Sequence, residues 1–384
     1  MDEPDDWIHL TRPDIGPGEM HAVLTALRTA QISMGPGVEK FEEAFAEYVG
    51  RTYAVAVASG TAGLLLSLKA LGIGPGDEVI ASPYSWHQIA HAIVLCGATP
   101  VFADMDYWTG TLSPSKVAEK ITARTKAVMA GNTNGHPAQW QALRELAAAR
   151  KLALIEDSTE AIGSVYQGRM VGGFGDLSIF DFSQASVLAC GEGGMIVTDD
   201  PVLHSELRYL RSHSLDDRLS VSVGSRVPWQ ANMSDLAAAL GLAQLERIDE
   251  VLAKRKQVEA YYLKHIQSFE GIKPPYLGQD VDEVHWFLYV VHLGTRFTRS
   301  SRNQIIEDME QEKVEAAAYC NPIHVQYFYT QLGYARGIFF VTEKISDRSM
   351  ALPFYGGLSD DEVEFIVATA KDSSINVGAG AAIY

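Results

Sequence analysis

Phe180-Asp181-Phe182-Ser183-Gln184-Ala185-Ser186-Val187-Leu188-Ala189-Cys190-Gly191-Glu192-Gly193-Gly194 decides how this chain of 384 residues is read. The stretch grows out of an apolar, strand-like run, 177–182, and closes on a glycine-rich turn. The loop between them can present a side chain at the end of a sheet. The residue at position 186 is a serine.

Outward from this loop, short apolar runs predict strands at 53–58, 78–82, 99–103, 127–130, 152–155 and 195–198. Segments with helical spacing lie between most of them, as in 38–49, where Val38, Phe41, Phe45 and Val49 recur on one face. Strands alternating with helices imply βαβ units and a mostly parallel sheet. Ligands of such sheets bind at the carboxyl ends of the strands. Ser59, Trp86, Asn134, Asp157 and Ser186 each follow a predicted strand, so they are expected to converge. Ser59-Gly60-Thr61-Ala62-Gly63 joins a strand to a helix, a turn that suits either an anion or a simple cap.

The texture changes after about residue 235. A long helix is expected over 236–262, a strand over 284–293, and helices over 301–312 and 358–370. The expected division is a large α/β domain, 1–249, and a smaller α+β domain, 250–384, with the N-terminal segment packed on the latter. The final stretch, 377–384, offers little to bury.

Composition excludes several classes. Net charge is −17, which argues against nucleic acid or an anionic membrane as partner. No apolar run is long enough for a membrane span. The three cysteines, Cys96, Cys190 and Cys320, show no metal or redox spacing. No metal site is expected. An acidic start, Met1-Asp2-Glu3-Pro4-Asp5-Asp6, is unlike a signal peptide, so the expected location is the cytoplasm.

Several pieces in order resemble the DegT/DnrJ/StrS family of sugar aminotransferases, enzymes of fold type I that use pyridoxal phosphate (PLP). They are Ser59-Gly60-Thr61-Ala62, Gly74-Pro75-Gly76-Asp77-Glu78-Val79-Ile80, Ile155-Glu156-Asp157-Ser158-Thr159-Glu160-Ala161-Ile162-Gly163, Gly175-Asp176, Gly191-Glu192-Gly193-Gly194, Met233-Ser234-Asp235, Pro322-Ile323-His324 and Leu352-Pro353-Phe354-Tyr355. The resemblance implies an aspartate-aminotransferase-like fold and a homodimer with shared active sites. It assigns Trp86 to stacking on the cofactor ring and Asp157 to the pyridine nitrogen. Gly60, Thr61 and Ala62 match the phosphate turn. Glu160 stands where the family usually has glutamine.

The departures are as specific as the matches. The family reads Phe-Ser-Phe, three residues, then the lysine that forms the internal aldimine. Here Asp181 replaces that serine and Ser186 the lysine, and no lysine occurs from 152 to 253. Serine can neither form an aldimine nor shuttle its proton. Asp181 would face the cofactor phosphate. Two unit charges about 4 Å apart repel by about 4 kcal/mol at an effective dielectric of about 20. Gln230-Ala231-Asn232 likewise replaces the family's Asn-x-Arg.

Three readings follow. The first is a PLP-independent acid/base isomerase, dehydratase or cyclase acting on a sugar, aminocyclitol or related biosynthetic intermediate. Asp181, Ser186, Glu160, His87, His136 and His324 are its candidate catalytic residues. The second keeps PLP or its amine form (PMP) bound without a covalent link. The third is a non-catalytic pseudo-aminotransferase. Specificity is expected in loops 104–112, 213–227 and 320–329, for a carbohydrate-like ligand.

Overall fold

The computed structural model describes residues 6–33, 35–183, 186–212, 227–267 and 271–381. The strands in chain order are β1 (Tyr53–Val57), β2 (Glu78–Ala81), β3 (Thr99–Phe102), β4 (Thr125–Gly131), β5 (Ala153–Asp157), β6 (Val165–Tyr166), β7 (Arg169–Met170), β8 (Leu177–Asp181), β9 (Gly194–Thr198), β10 (Ile272–Lys273), β11 (Val281–Glu283), β12 (Tyr289–Leu293), β13 (Ala317–Ala318) and β14 (Ser349–Leu352). Seven of them form a central sheet in the order β1-β9-β8-β5-β4-β2-β3. Every neighbouring pair from β8 to β3 is parallel, and β9 runs antiparallel to both β1 and β8. That geometry puts the carboxyl ends of β1, β2, β4, β5 and β8 on one edge. The mostly parallel α/β sheet expected from the sequence is therefore present.

Burial explains the strand sequences. Val79, Ile80, Val128, Met129, Ile155 and Ile179 are essentially inaccessible, because helices cover both faces of the sheet. Helix Gly60–Ala70 sends Leu64, Leu66 and Leu68 into one core with β1 and β8. Phe41 and Phe45 of helix Pro36–Val49 pack on Phe180 and Phe182 on the opposite face.

A second sheet, β10-β12-β14-β13, has its own core around Tyr262, Tyr289, Met350 and Phe354. The N-terminal segment lies against this part. Ile8 N–H donates to Lys313 O, and Phe354 N–H donates to Leu10 O. Helix Ile248–Ile266 spans both regions: Ile248 and Val251 pack with Phe41, while Val258 and Tyr262 pack with Tyr289.

Three elements differ from the sequence expectation. The helix expected over 236–262 is two, Asp235–Glu246 and Ile248–Ile266. Arg247 breaks it at φ −121°, ψ 21°, and turns its guanidinium to Asp14, Glu19 and Glu250. The strand expected over 284–293 pairs only from Tyr289, because the residues before it are held otherwise. His285 N–H donates to Ser164 Oγ (2.9 Å) and Leu288 N–H to Asn134 Oδ1 (3.0 Å). The last helix runs Asp360–Ala381, past 370, and Lys371 Nζ ties it to His265 O at 2.6 Å.

Candidate functional site

The site begins with a carboxylate on a helix start. Asp181 ends β8 beside Gly194 of β9, which in turn pairs with Val57 of β1. Helix Gly60–Ala70 opens just past Val57. Asp181 Oδ2 accepts from Gly60 N–H at 2.7 Å, and Oδ1 accepts from Ser183 N–H at 2.9 Å. The contact is close enough that a Cβ on Gly60 would lie 2.7 Å from Asp181 Cβ. Ser59 Oγ accepts from Ala62 N–H, the usual end cap. The free N–H groups and dipole of a helix start favour an anion there. In this protein the anion is part of the chain.

Asp157, at the end of β5, accepts from Thr159 N–H at 3.1 Å. Burial pushes its carboxyl up to about 6, and Asp181 and Glu156 add to the rise. Glu160 lies one turn further on. Its Oε1 accepts from Trp86 Nε1–H, and its Oε2 accepts from Asn134 N–H (2.6 Å) and from the Tyr319 hydroxyl (2.7 Å). Asn134 reaches this position in the left-handed region, φ 52°. That conformation is unusual for a non-glycine residue, though asparagine tolerates it best. Burial outweighs these three donors and raises the Glu160 carboxyl to about 7. Asp157 and Asp181, and Glu160 and Asp157, are thus near enough to oppose each other's charge.

The Ser186 hydroxyl is buried and has no hydrogen-bond partner among the described residues. Its own N–H donates to Ser183 O at 2.9 Å. Buried hydroxyls are normally bonded, so Ser186 Oγ is open to a ligand oxygen or a water. Trp86 is half-buried, with its ring edge-on to Phe287 at 6.1 Å. Thr61 and Ala62 follow Gly60 in the first turn of the helix.

None of the three candidate histidines hydrogen-bonds to this cluster among the described residues. His136 has both ring nitrogens engaged. Nδ1–H donates to Pro137 O (2.8 Å), and Nε2 accepts from Gly278 N–H (3.1 Å). Burial lowers its pKa, so it stays neutral. His324 is fully buried against Phe339, with Nε2 at 3.0 Å from Glu343 Oε1. Burial lowers its pKa and Glu343 partly opposes this. His87 is exposed at a helix start, with its ring 4.8 Å from that of His91.

Two features escape sequence reading. Tyr319 is legible only as a stacking aromatic, yet its hydroxyl holds Glu160 from 159 positions away. Glu156 collects six donors, from Asn132, Ser158, Gly172, Phe174, Gly175 and Ser178. It anchors the loop before β8 as a fully satisfied charge. Of the expected specificity loops, 213–226 lies outside the described residues.

The raised carboxyls carry a pH signature. An unfolded chain ionises Glu160 near 4.5, whereas the folded chain keeps it protonated to about 7. Stability from this group is therefore full below 4.5 and falls as pH rises to 7, by about 3 kcal/mol. Asp157 adds a smaller fall between 3.8 and about 6. Urea denaturation from pH 4.5 to 7.5 is expected to show the decline, and Glu160→Gln is expected to flatten it. Parallel curves for the two proteins would contradict this account of Glu160.

The chain resembles known proteins along nearly its whole length. The profile of the DegT/DnrJ/EryC1/StrS aminotransferase family matches residues 13–371. The chain is 36% identical over 371 residues to the spore coat polysaccharide biosynthesis protein SpsC of Bacillus subtilis, covering 94% of this chain and 95% of that one. It is 34% identical over 363 residues to GDP-perosamine synthase of Caulobacter vibrioides, covering 94% and 96%. Among solved structures, Spr1654 of Streptococcus pneumoniae in its PMP form superposes with a TM-score of 0.92 at 26% identity, over 97% of this chain and 99% of that one. No described helix is long and apolar enough to cross a membrane.

Proposed function

The chain belongs to the DegT/DnrJ/EryC1/StrS aminotransferase family and has its fold-type I architecture, and we propose that it is an acid–base enzyme acting on a carbohydrate-like intermediate without covalently held PLP. Its reaction is an isomerisation, dehydration or cyclisation in sugar or natural-product biosynthesis. The observation that carries this reading is the Asp181 carboxylate on Gly60 N–H.

PLP is a poor fit to these residues. Its phosphate needs open donors at the first turn of helix Gly60–Ala70 and tolerates no negative charge there. That N–H is taken, and by an anion. Position 186 supplies a hydroxyl and no amine. The Ser186 Oγ, five residues past the end of β8, is buried without a hydrogen-bond partner among the described residues.

The remaining residues suit proton transfer near neutrality. Efficient general acids and bases have pKa values close to the working pH. Between these values, near pH 6.5, Glu160 (about 7) holds its proton more than Asp157 (about 6) does, a division that lets one carboxyl give a proton while the other takes one. Glu160 donates to a substrate oxygen, Asp157 accepts from a carbon or hydroxyl, and Ser186 orients the substrate by hydrogen bonding. Asp181 holds the helix start. His136 drops out of proton transfer, since both its nitrogens serve Pro137 and Gly278, and His324 is held by Glu343 through Nε2.

The reading includes a second copy of this chain. Exposed Met20 and Leu24 on helix Pro17–Ala26, with exposed Leu27 just after it, adjoin an apolar cavity of about 660 Å³ next to helices Pro36–Val49 and Asp235–Glu246. Such a face is suited to burial between subunits.

The second reading, PLP or PMP held without a covalent link, draws on the kept Asp157 and Trp86 and on Spr1654, which is solved in both PMP and PLP forms. The test is turnover in D2O. The purified chain is incubated with keto and hydroxy sugars and aminocyclitols, with and without PLP, and followed by NMR. Deuterium incorporation and product without PLP, reduced at least about tenfold in Glu160→Gln, are expected. Turnover that appears only when PLP or PMP is added would overturn the first reading in favour of the second.

A further inference from the structure

A further cavity, of about 620 Å³, opens between helix Ile248–Ile266 and the paired strands β6 and β11. Its walls include the polar side chains of Tyr48, Asp249, Glu283 and His285 and the apolar ones of Val165, Met170 and Leu252. It shares no lining residue with the pocket around Asn134 and Tyr319. None of Asp157, Glu160, Asp181 or Ser186 belongs to it.

Two buried polar atoms on these walls lack a partner. His285 is only 7% exposed, and its Nδ1 has no hydrogen bond among the described residues. The Tyr48 hydroxyl is buried and equally unpaired. Buried polar atoms are normally bonded, and an unpaired one is costly. The Asp249 carboxylate, in the first turn of helix Ile248–Ile266, also has no hydrogen-bond or ion-pair partner among the described residues.

The chemistry of these groups defines what is missing. His285 Nε2 lies 3.2 Å from Glu283 Oε1, so its hydrogen belongs there, facing the carboxylate. Burial, with the charges of Lys256 and Arg255, lowers the imidazole to about 4, so it is neutral near pH 7. A neutral imidazole with its hydrogen on Nε2 has a bare acceptor at Nδ1. Burial and the charges of Asp249 and Glu283 raise the Tyr48 phenol, so it keeps its proton, and both carboxylates act on its oxygen. The nearby cations are engaged elsewhere. Lys256 Nζ donates to Glu259 Oε2 at 2.8 Å, and Arg255 turns to the carbonyls of Trp286, Phe287 and Phe354. The walls therefore offer lone pairs and negative charge and lack a donor. Among the described residues these groups do not form a metal-ligand set.

We propose that this cavity binds an aliphatic primary amine in its ammonium form, with the N–H groups on His285 Nδ1, the Tyr48 oxygen and Asp249, and the hydrocarbon stem along Val165, Met170 and Leu252. A primary ammonium has three donors and no acceptor, which matches three open acceptors. Its charge complements the two carboxylates, and its stem covers apolar wall that water would otherwise wet.

Calorimetric titration of the full chain with hexylamine at pH 7.5 in about 0.15 M salt, and in parallel with hexan-1-ol and hexyltrimethylammonium, tests this. The last compound keeps the stem and the charge but has no N–H. Saturable binding of hexylamine is expected, with both other compounds at least about tenfold weaker. Tyr48→Phe, Asp249→Asn and His285→Phe are each expected to weaken hexylamine about tenfold. Should His285→Phe fail to fold, the other two, at a half-buried and an exposed residue, carry the same expectation. No saturable hexylamine binding, hexyltrimethylammonium binding as tightly as hexylamine, or affinity unchanged in both Tyr48→Phe and Asp249→Asn would each overturn the proposal.

Discussion

A chain carrying both Asp181→Ser and Ser186→Lys is expected to bind PLP and to develop the visible absorption of an internal aldimine. The first substitution frees Gly60 N–H and removes the charge from the helix start. The repulsion between Asp181 and one phosphate charge is about 4 kcal/mol at about 4 Å, or roughly three decades of affinity. The second substitution supplies the amine. Ser186→Lys alone is expected to give little or no aldimine, because Asp181 still holds the helix start. Asp181→Ser alone is expected to give weak binding without the absorption band. If the double variant neither binds PLP nor shows the band, positions 181 and 186 do not flank the phosphate and aldimine seats.

Glu160→Ala is expected to cost stability on the scale of several kcal/mol. It removes the shared acceptor of Trp86 Nε1–H, Asn134 N–H and the Tyr319 hydroxyl. A buried donor left unpaired costs about 1–3 kcal/mol. Water can reach half-buried Trp86, so about 3–5 kcal/mol is expected for the set. Urea unfolding at pH 4.5, below the range in which ionisation of Glu160 lowers the stability of the folded chain, measures it. Glu160→Gln keeps one carbonyl acceptor and is expected to lose less than half as much stability while still losing turnover. A loss in Glu160→Ala below about 1 kcal/mol would mean that the network does not hold these elements together.

The fold was legible because its determinants are local. Apolar runs such as Val79-Ile80 and Leu154-Ile155 mark buried parallel strands, and the helices between them leave few topologies. Ser59, Trp86, Asn134, Asp157 and Ser186 each follow a predicted strand, and the carboxyl ends of β1, β2, β4, β5 and β8 share one edge of the sheet. The fate of individual side chains was not local. His136 reads as a free imidazole until Gly278, 142 positions away, donates to it. His324 reads as a site histidine until Glu343 pairs with it. The break at Arg247 falls inside a good helical pattern and is coupled to Asp14 and Glu19, which meet it only in the folded chain. Asp181 is intermediate. Its charge and position signal trouble for a phosphate, but its bond to Gly60 N–H requires β8, β9 and β1 side by side.

That bond is the centre of the functional reading, and calorimetric titration of the unmodified protein with PLP and with PMP at pH 7.5 tests it most directly. The expected result is no saturable binding of either compound up to about millimolar concentration, weaker than roughly −4 kcal/mol. Saturable binding near about 1 µM, roughly −8 kcal/mol, would contradict the assignment of Asp181 as the resident anion of the pocket.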